Sequence, residues 1–277
     1  MRTIAVLNQK GGVGKTTTVA NVAAALAIKG LRTLAIDLDP QAHLTIHLGA
    51  DSNSKIGVYE VLTGAADIAS AVTPVRDNLW VLGASFNLVG AESELVSEVG
   101  REIILKKALE PVRSQYDYML IDCPPSLGLL SLNALSCVEE VLIPIQPHFL
   151  ALQGFSRLLQ TITLVQTRIN PALRVSAILM CMFDNRTSLS SEVRDDIQNF
   201  LQNARNTDKP WANAAIIPVP IRRNIKLAEA PSYGKTIFEY EPGCNGAADY
   251  GAVADWLHTG TLNNEESIKV VSGGQGQ

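Results

Sequence analysis

Gln9-Lys10-Gly11-Gly12-Val13-Gly14-Lys15-Thr16-Thr17, near the start of the chain, combines glycines, ammonium groups and hydroxyls at a spacing suited to phosphate. A short apolar run precedes it and a helical pattern follows. Glycines at such a junction let backbone N–H groups turn inward around phosphate oxygens, at a helix N-terminus whose dipole favours anions. Lys15 is placed to reach the β- and γ-phosphates, and the Thr16 hydroxyl to coordinate Mg²⁺. The general pattern G-x-x-x-x-G-K-[ST] asks for a further glycine where this chain has Gln9. Lys10 instead stands directly before the glycine pair. A second ammonium close to Lys15 needs an anionic partner. The spacing leaves open whether that phosphate belongs to its own subunit or to another.

Two acidic segments supply carboxylates for the same chemistry. In Asp37-Leu38-Asp39-Pro40-Gln41 they follow an apolar run, where they can order Mg²⁺ waters or an attacking water. A plain acidic turn is the competing reading. Leu120-Ile121-Asp122-Cys123-Pro124-Pro125-Ser126 ends a second apolar run in Asp122, the arrangement that holds Mg²⁺ through water. Cys123 has no basic neighbour in sequence and reads as a small buried residue. His43 and His47 share the i, i+4 spacing of a metal pair but lack a third ligand, and the non-metal reading is preferred.

These groups need a frame to hold them. Apolar runs at Thr3–Leu7, Leu34–Leu38, Leu79–Leu82, Tyr118–Ile121, Val141–Ile145, Val175–Met182 and Ala215–Val219 lack polar alternation, as strands buried on both faces do. Helical patterns lie between them at 15–29, 101–115, 153–169, 189–204 and 246–258. The alternation predicts an α/β fold, doubly wound, with a mostly parallel sheet and helices on both faces. No linker divides residues 1–260, which read as a single domain, with 261–277 a polar, disordered tail.

Composition narrows the class. Of 277 residues, 47% are hydrophobic and 18% charged, enough apolar content for a sizeable core and too little charge for a disordered chain. No apolar run approaches the roughly 18 residues of a membrane span, and Ile4-Ala5-Val6-Leu7 is too short for a secretion signal. The four cysteines are scattered, which argues against a zinc site and for a reduced, cytoplasmic compartment. The net charge of −4 excludes binding to nucleic acid by bulk charge. Residues 1–150 carry 11 basic and 15 acidic groups, residues 151–240 carry 11 and 7, and residues 241–277 carry one and five. A segment of net +4 therefore lies between two of net −4. Surface charge fluctuates this much by chance, so the asymmetry alone does not establish a partner surface.

The K-G-G-V-G-K-T-T loop, the D-x-D-P-Q segment and the D-x-P-P-S-x-G segment together resemble the deviant Walker A ATPases. Within them they resemble the ParA partition proteins, over roughly residues 2 to 258. The resemblance implies a homodimer bridged by ATP, in which Lys10 reaches the nucleotide of the facing subunit. It implies that Lys10, Lys15 and Asp39 are catalytic, and that Thr16, Asp39 and Asp122 hold Mg²⁺. Nucleotide contacts would come from Lys10 to Thr17 and from Arg222 and Asn224. The last two lie in Ile221-Arg222-Arg223-Asn224-Ile225-Lys226-Leu227-Ala228-Glu229-Ala230-Pro231-Ser232-Tyr233-Gly234, similar to a family stretch around the adenine. Arg222 stands where the family usually has proline. An arginine there can stack on an aromatic base.

Basic residues in these regions, here Arg186, Arg222, Arg223, Lys226 and Lys235, imply binding to double-stranded DNA without sequence preference. Arg and Lys contacts to phosphate position a protein without reading bases. A ParB-type protein is the implied partner, triggering hydrolysis on the nucleoid. Two further departures are Ala42-His43, where the family often has Gly-Asn, and Gln153, where relatives often have Glu. A ParA-like ATPase that positions a protein cargo is the nearest alternative. A membrane-bound MinD-like regulator would need a basic amphipathic C-terminal helix, and Glu265, Glu266 and the lone Lys269 argue against one. A reductase of the same superfamily would need bridging cysteines, which these four do not match. The chain opens on its phosphate-loop strand, so no sequence-specific autorepression is expected.

Overall fold

The computed structural model describes residues 1–148 and 151–260; the tail expected at 261–277 lies outside them. Nine strands form the sheet: β1 (Arg2–Val6), β2 (Thr33–Asp37), β3 (Val72–Arg76), β4 (Leu79–Leu82), β5 (Tyr118–Asp122), β6 (Glu140–Ile145), β7 (Arg174–Phe183), β8 (Ala215–Ile216) and β9 (Ile221–Arg222). The order is β3-β4-β2-β5-β1-β6-β7-β8, with β9 also beside β7. Every pair is parallel except β3 with β4. β1 lies between β5 and β6, so successive crossovers leave it in opposite directions and open a crevice at its C-terminal end.

The apolar runs divide between two cores. Ala5, Leu7, Leu34, Ile36 and Ile121 point to one face, and Ile4, Val6, Ala35 and Leu120 to the other. The first face is covered by the helices Ile104–Leu109, Leu129–Cys137, Ala151–Arg168 and Ser188–Ala204. The second is covered by Lys15–Ile28 and Asn245–Thr259. Each Leu or Ile buried this way contributes roughly 1.5–3 kcal/mol. The helix Lys15–Ile28 is rich in alanine, which lets it pack close to the strands. It stops where Gly30 takes φ +82° and its N–H bonds the Ala27 carbonyl.

The structure corrects three expectations. The strand at Ala215–Val219 ends at Ile216 and resumes at Ile221, because Pro218 and Pro220 offer no N–H to β7. The helix at 101–115 is three pieces: a 3₁₀ turn at Arg101–Ile103, an α-helix at Ile104–Leu109 and a second 3₁₀ turn at Glu110–Gln115. Pro111 cannot continue the α ladder there. The helix Leu129–Cys137 was not foreseen, because its sides are nearly all buried and its sequence has no polar face to mark a period.

That helix begins just past Asp122, and side chains hold it throughout. Glu92 Oε1 accepts from the Leu130 N–H at 3.2 Å. Asn133 donates to the Arg101 and Leu129 carbonyls and accepts from the Leu105 N–H. Buried Asn170 donates to the carbonyls of Leu135 at 2.8 Å and Val138 at 2.6 Å, closing the C-terminal end. Asn170→Ala should leave two buried carbonyls unpaired and lower stability by about 2 kcal/mol. The check is a fall in the urea midpoint with an unchanged slope.

Candidate functional site

β1 passes through residues 7–14 into the helix Lys15–Ile28. Gly12 (φ +73°) and Gly14 (φ +96°) are left-handed, a conformation that disfavours any side chain. Nothing lies within 4 Å of a Cβ placed on Gly11 or Gly12, so the loop's inner side is open. Asn8 braces it from below: its Oδ1 accepts from the Lys10 N–H at 3.0 Å and its Nδ2 donates to the Pro144 carbonyl at 2.7 Å. The two lysines diverge. Lys15 is buried and its Nζ donates to the Lys10 carbonyl at 3.3 Å. Lys10 is exposed, and its ammonium makes no hydrogen bond or ion pair among the described residues. Burial lowers the Lys15 pKa, while the fields of Asp122 and Asp39 oppose that shift.

Asp122 ends β5 and pairs in register with Asp37 at the end of β2. The Thr16 hydroxyl donates to Asp122 Oδ2 at 2.6 Å. The other oxygen, Oδ1, is buried with no hydrogen-bond partner among the described residues. Burial raises the Asp122 pKa well above the usual carboxylate range, helped by the neighbouring Asp37. A hydroxyl and an orphaned carboxylate oxygen at the mouth of an anion-binding loop fit a hard divalent cation such as Mg²⁺.

Asp37 plays a different part. Its Oδ2 accepts from the Thr45 N–H at 2.9 Å and the Thr45 hydroxyl at 2.7 Å, and its Oδ1 accepts from the Asp39 N–H at 3.1 Å. Burial still pushes its pKa up to about 6 against those bonds. Asp39 is half-buried, and its Oδ1 accepts from the Gln41 N–H at 3.0 Å. Asp37 therefore fixes the backbone that carries Asp39. Ala42 follows at φ +54°, a conformation costing a residue with a Cβ ~1 kcal/mol, which is why glycine suits this position. His43 is exposed and His47 buried, so the pair does not converge. Cys123 is buried and its thiol pKa is raised well above normal by burial.

The late segment lies beside β7 through β9. Arg222, expected to contact the base and DNA, is engaged within the chain here. Its Nε and Nη2 bond the buried Asp249 carboxylate, at 2.6 Å for the shortest contact, and its backbone N–H donates to the same group at 3.0 Å. That guanidinium is tied to the helix Asn245–Thr259. A proline there would have no N–H for Asp249. Asn224 Oδ1 accepts from the Lys226 N–H at 2.9 Å. The other cations differ in their pairing. Arg186 makes a two-point contact with Asp184, and Lys226 pairs with Glu229 over the Tyr240 ring. Arg223 and Lys235 are exposed, and their side chains make no hydrogen bond or ion pair among the described residues. The Gln153 side chain lies outside the described residues.

Sequence reasoning passed over Thr45 and Asp249. The second left a trace, since an aspartate on the apolar side of Asn245–Thr259 requires a buried partner.

A parallel sheet whose first strand enters a glycine loop, with an aspartate ending the strand beside it, defines a P-loop ATPase fold. A family model described as an AAA domain matches residues 1–175. The chain is 44% identical to the sporulation initiation inhibitor protein Soj of Bacillus subtilis over 89% of this chain and 94% of that protein. It is 44% identical to the chromosome-partitioning ATPase Soj of Treponema pallidum over 91% and 95%. It is 41% identical to the chromosome partitioning protein ParA of Myxococcus xanthus over 91% and 86%. Among solved structures, cobyrinic acid a,c-diamide synthase from Mycobacterium smegmatis with a bound ATP analogue and magnesium superposes with a TM-score of 0.78. It is 35% identical and covers 95% of this chain and 98% of that one. The chain belongs to the ParA/Soj family of chromosome-partitioning ATPases.

His47 offers a measurable pH dependence. Burial, with the Arg76 charge beside it, lowers its pKa to about 4. The unfolded chain takes up this proton near pH 6.5 and the folded one only near 4, so acidification through that window favours unfolding. The expected contribution is a loss of about 3 kcal/mol between pH 6.5 and 4. Denaturant titrations of wild type and His47→Leu at several pH values should diverge over that window.

Proposed function

We propose that this chain is a Mg²⁺-dependent ATPase that segregates DNA: its ATP-bound dimer binds double-stranded DNA without sequence preference, and a ParB-type protein stimulates hydrolysis. The observation that carries this reading is the divergence of the two loop lysines. Lys15 is folded into its own loop, whereas Lys10 projects from the same loop into solvent with no partner among the described residues. An ammonium at a phosphate site that does not serve its own loop is placed for the nucleotide of a facing copy.

The loop N–H groups from Gly11 to Thr17 hold the β- and γ-phosphates, and Lys15 reaches the transferred group. Thr16 and Asp122, with Asp39 through water, hold Mg²⁺, which when bound neutralises charge on the phosphate oxygens. Asp39 accepts a hydrogen bond from the attacking water and aims its oxygen at the γ-phosphorus as the bond to the ADP oxygen breaks. Lys10 from the facing subunit adds positive charge where negative charge collects, so turnover depends on the dimer. Asn224, fixed by the Lys226 N–H, keeps its amide nitrogen available to a ring acceptor of the base.

DNA contact falls chiefly to Arg223 and Lys235, whose charge is not neutralised internally, with the exposed Arg186 and the half-buried Lys226 adding to them. A dimer doubles this patch, and phosphate contacts accumulate with each added cation. No helix among the described residues is long and apolar enough to cross a membrane. Action on the nucleoid, in the cytoplasm, is the setting this reading requires.

Lys10→Ala should still bind ATP but remain a monomer with ATP in light scattering; dimerisation at the wild-type level would remove the cross-subunit role. The double variant Arg223→Glu/Lys235→Glu should keep nucleotide affinity and ATP-dependent dimerisation while losing DNA binding by at least about tenfold at moderate salt. Unchanged mobility shifts would place the DNA surface elsewhere.

A further inference from the structure

The helix Leu88–Leu95 buries Leu88, Ala91 and Leu95 and leaves Val89 on its outer side. Phe86 in the turn before it and Val96 and Val99 in the turns after it are also exposed, so the four, at 78, 54, 59 and 98% exposure in chain order, gather within one short segment. Residues 85–99 also carry three glutamates, Glu92, Glu94 and Glu98, and no lysine or arginine. The nearest cation in sequence, Arg101, is engaged by the Val96 carbonyl and by Glu102. The surface is apolar with Glu94 and Glu98 exposed beside it; Glu94 accepts from the Tyr59 hydroxyl, Glu92 is turned to the Leu130 N–H, and the Lys107 ammonium lies near Gly100.

The start of this segment is fastened to the strand-end carboxylate Asp37, and its middle to the helix Leu129–Cys137. Just before Phe86, the Ala84 N–H donates to the Thr45 hydroxyl at 2.9 Å. Thr45 in turn donates to Asp37, which accepts from the Asp39 N–H. Within the helix, Glu92 Oε1 accepts from the Leu130 N–H, past the Asp122 loop. Three consecutive hydrogen bonds therefore join the start of this segment to the Asp39 backbone.

We propose that the outward face of residues 86–99 docks a basic, apolar-faced segment of the partner protein that stimulates hydrolysis, and that Ala84, Thr45 and Asp37 pass its arrival to Asp39. This rests on the partner reading above and adds the surface and the route. Charge selects the occupant. Glutamates at this density repel DNA and anionic lipid, and a second copy meeting the same surface across a twofold axis would set acid against acid. A cationic amphipathic segment satisfies the apolar side chains and the glutamates together.

The test uses the full chain with ATP and a purified ParB-type protein from the same genome as the probe. Binding is read by interferometry, turnover by phosphate release and dimerisation by light scattering. Phe86→Ser/Val89→Ser and, separately, Glu98→Lys should weaken probe binding by about tenfold or more while basal turnover and dimer mass stay at wild-type values. Thr45→Val should bind the probe as wild type does yet lose most of the stimulation, and Thr45→Ser, which keeps the hydroxyl, should regain it. Wild-type affinity in the surface variants overturns the docking face. Loss of ATP-dependent dimerisation in those variants also overturns it, by assigning the surface to the subunit contact. Undiminished stimulation of Thr45→Val overturns the route. If the probe neither binds nor stimulates wild type, the partner reading itself has failed, and this proposal falls with it.

Discussion

Asp37 and Asp122 end neighbouring strands and are both fully buried, with one buried ammonium, Lys15, for company. Two carboxylates and a lysine removed from water are costly unless each charge is matched. Asp37 is matched locally, by two N–H groups and a hydroxyl. Asp122 is not: it has the Thr16 hydroxyl, the field of Lys15 and one oxygen without a partner. That imbalance organises the molecule. The glycine loop brings Lys15 and Thr16 to Asp122, the turn after β2 places Thr45 against Asp37, and the helix Leu129–Cys137 packs behind the loop that follows β5. The unmatched oxygen gives a bound cation a place at the phosphate loop.

The central strands and the phosphate loop were legible in the sequence for one physical reason. A strand buried on both faces must be apolar throughout, and a loop of left-handed N–H donors must contain glycine. Ile4 to Leu7 and Gly11 to Gly14 obey those requirements with little freedom. Elements whose character depends on distant contacts were not legible. The helix Leu129–Cys137 owes its stability to Asn170, thirty or more residues away, and has no amphipathic pattern of its own. β3 is an antiparallel margin strand with Pro74 inside it and exposed residues along it, so neither propensity nor burial announced it. In the site, Lys15, Thr16 and Asp122 follow from short-range spacing, whereas Thr45 and Asp249 matter only because the fold brings them to Asp37 and Arg222.

At Ala42 and Arg222, where the chain departs from its family's usual residues, the structure shows the local consequence. Ala42 adopts the left-handed turn that glycine would adopt at less cost. Arg222 exchanges the rigidity of proline for a buried ion pair and a backbone hydrogen bond, both to Asp249. The stretch around Asn224 is thus held by the C-terminal helix rather than by the ring of a proline. Of the +4 surplus between residues 151 and 240, the Arg222 charge is met by Asp249, which lies outside that segment.

The prolines that interrupt the sheet have a further effect. Pro74 lies in β3 at one margin, and Pro218 and Pro220 separate β8 from β9 at the other. A parallel sheet with a complete row of backbone donors along its rim is a template on which further chains can add as strands. Here each rim is broken, by a register shift beside Pro74 and by missing N–H groups at residues 218 and 220. The sheet is thereby protected from open-ended polymerisation. Self-association of the chain by strand addition is disfavoured at both margins of the sheet.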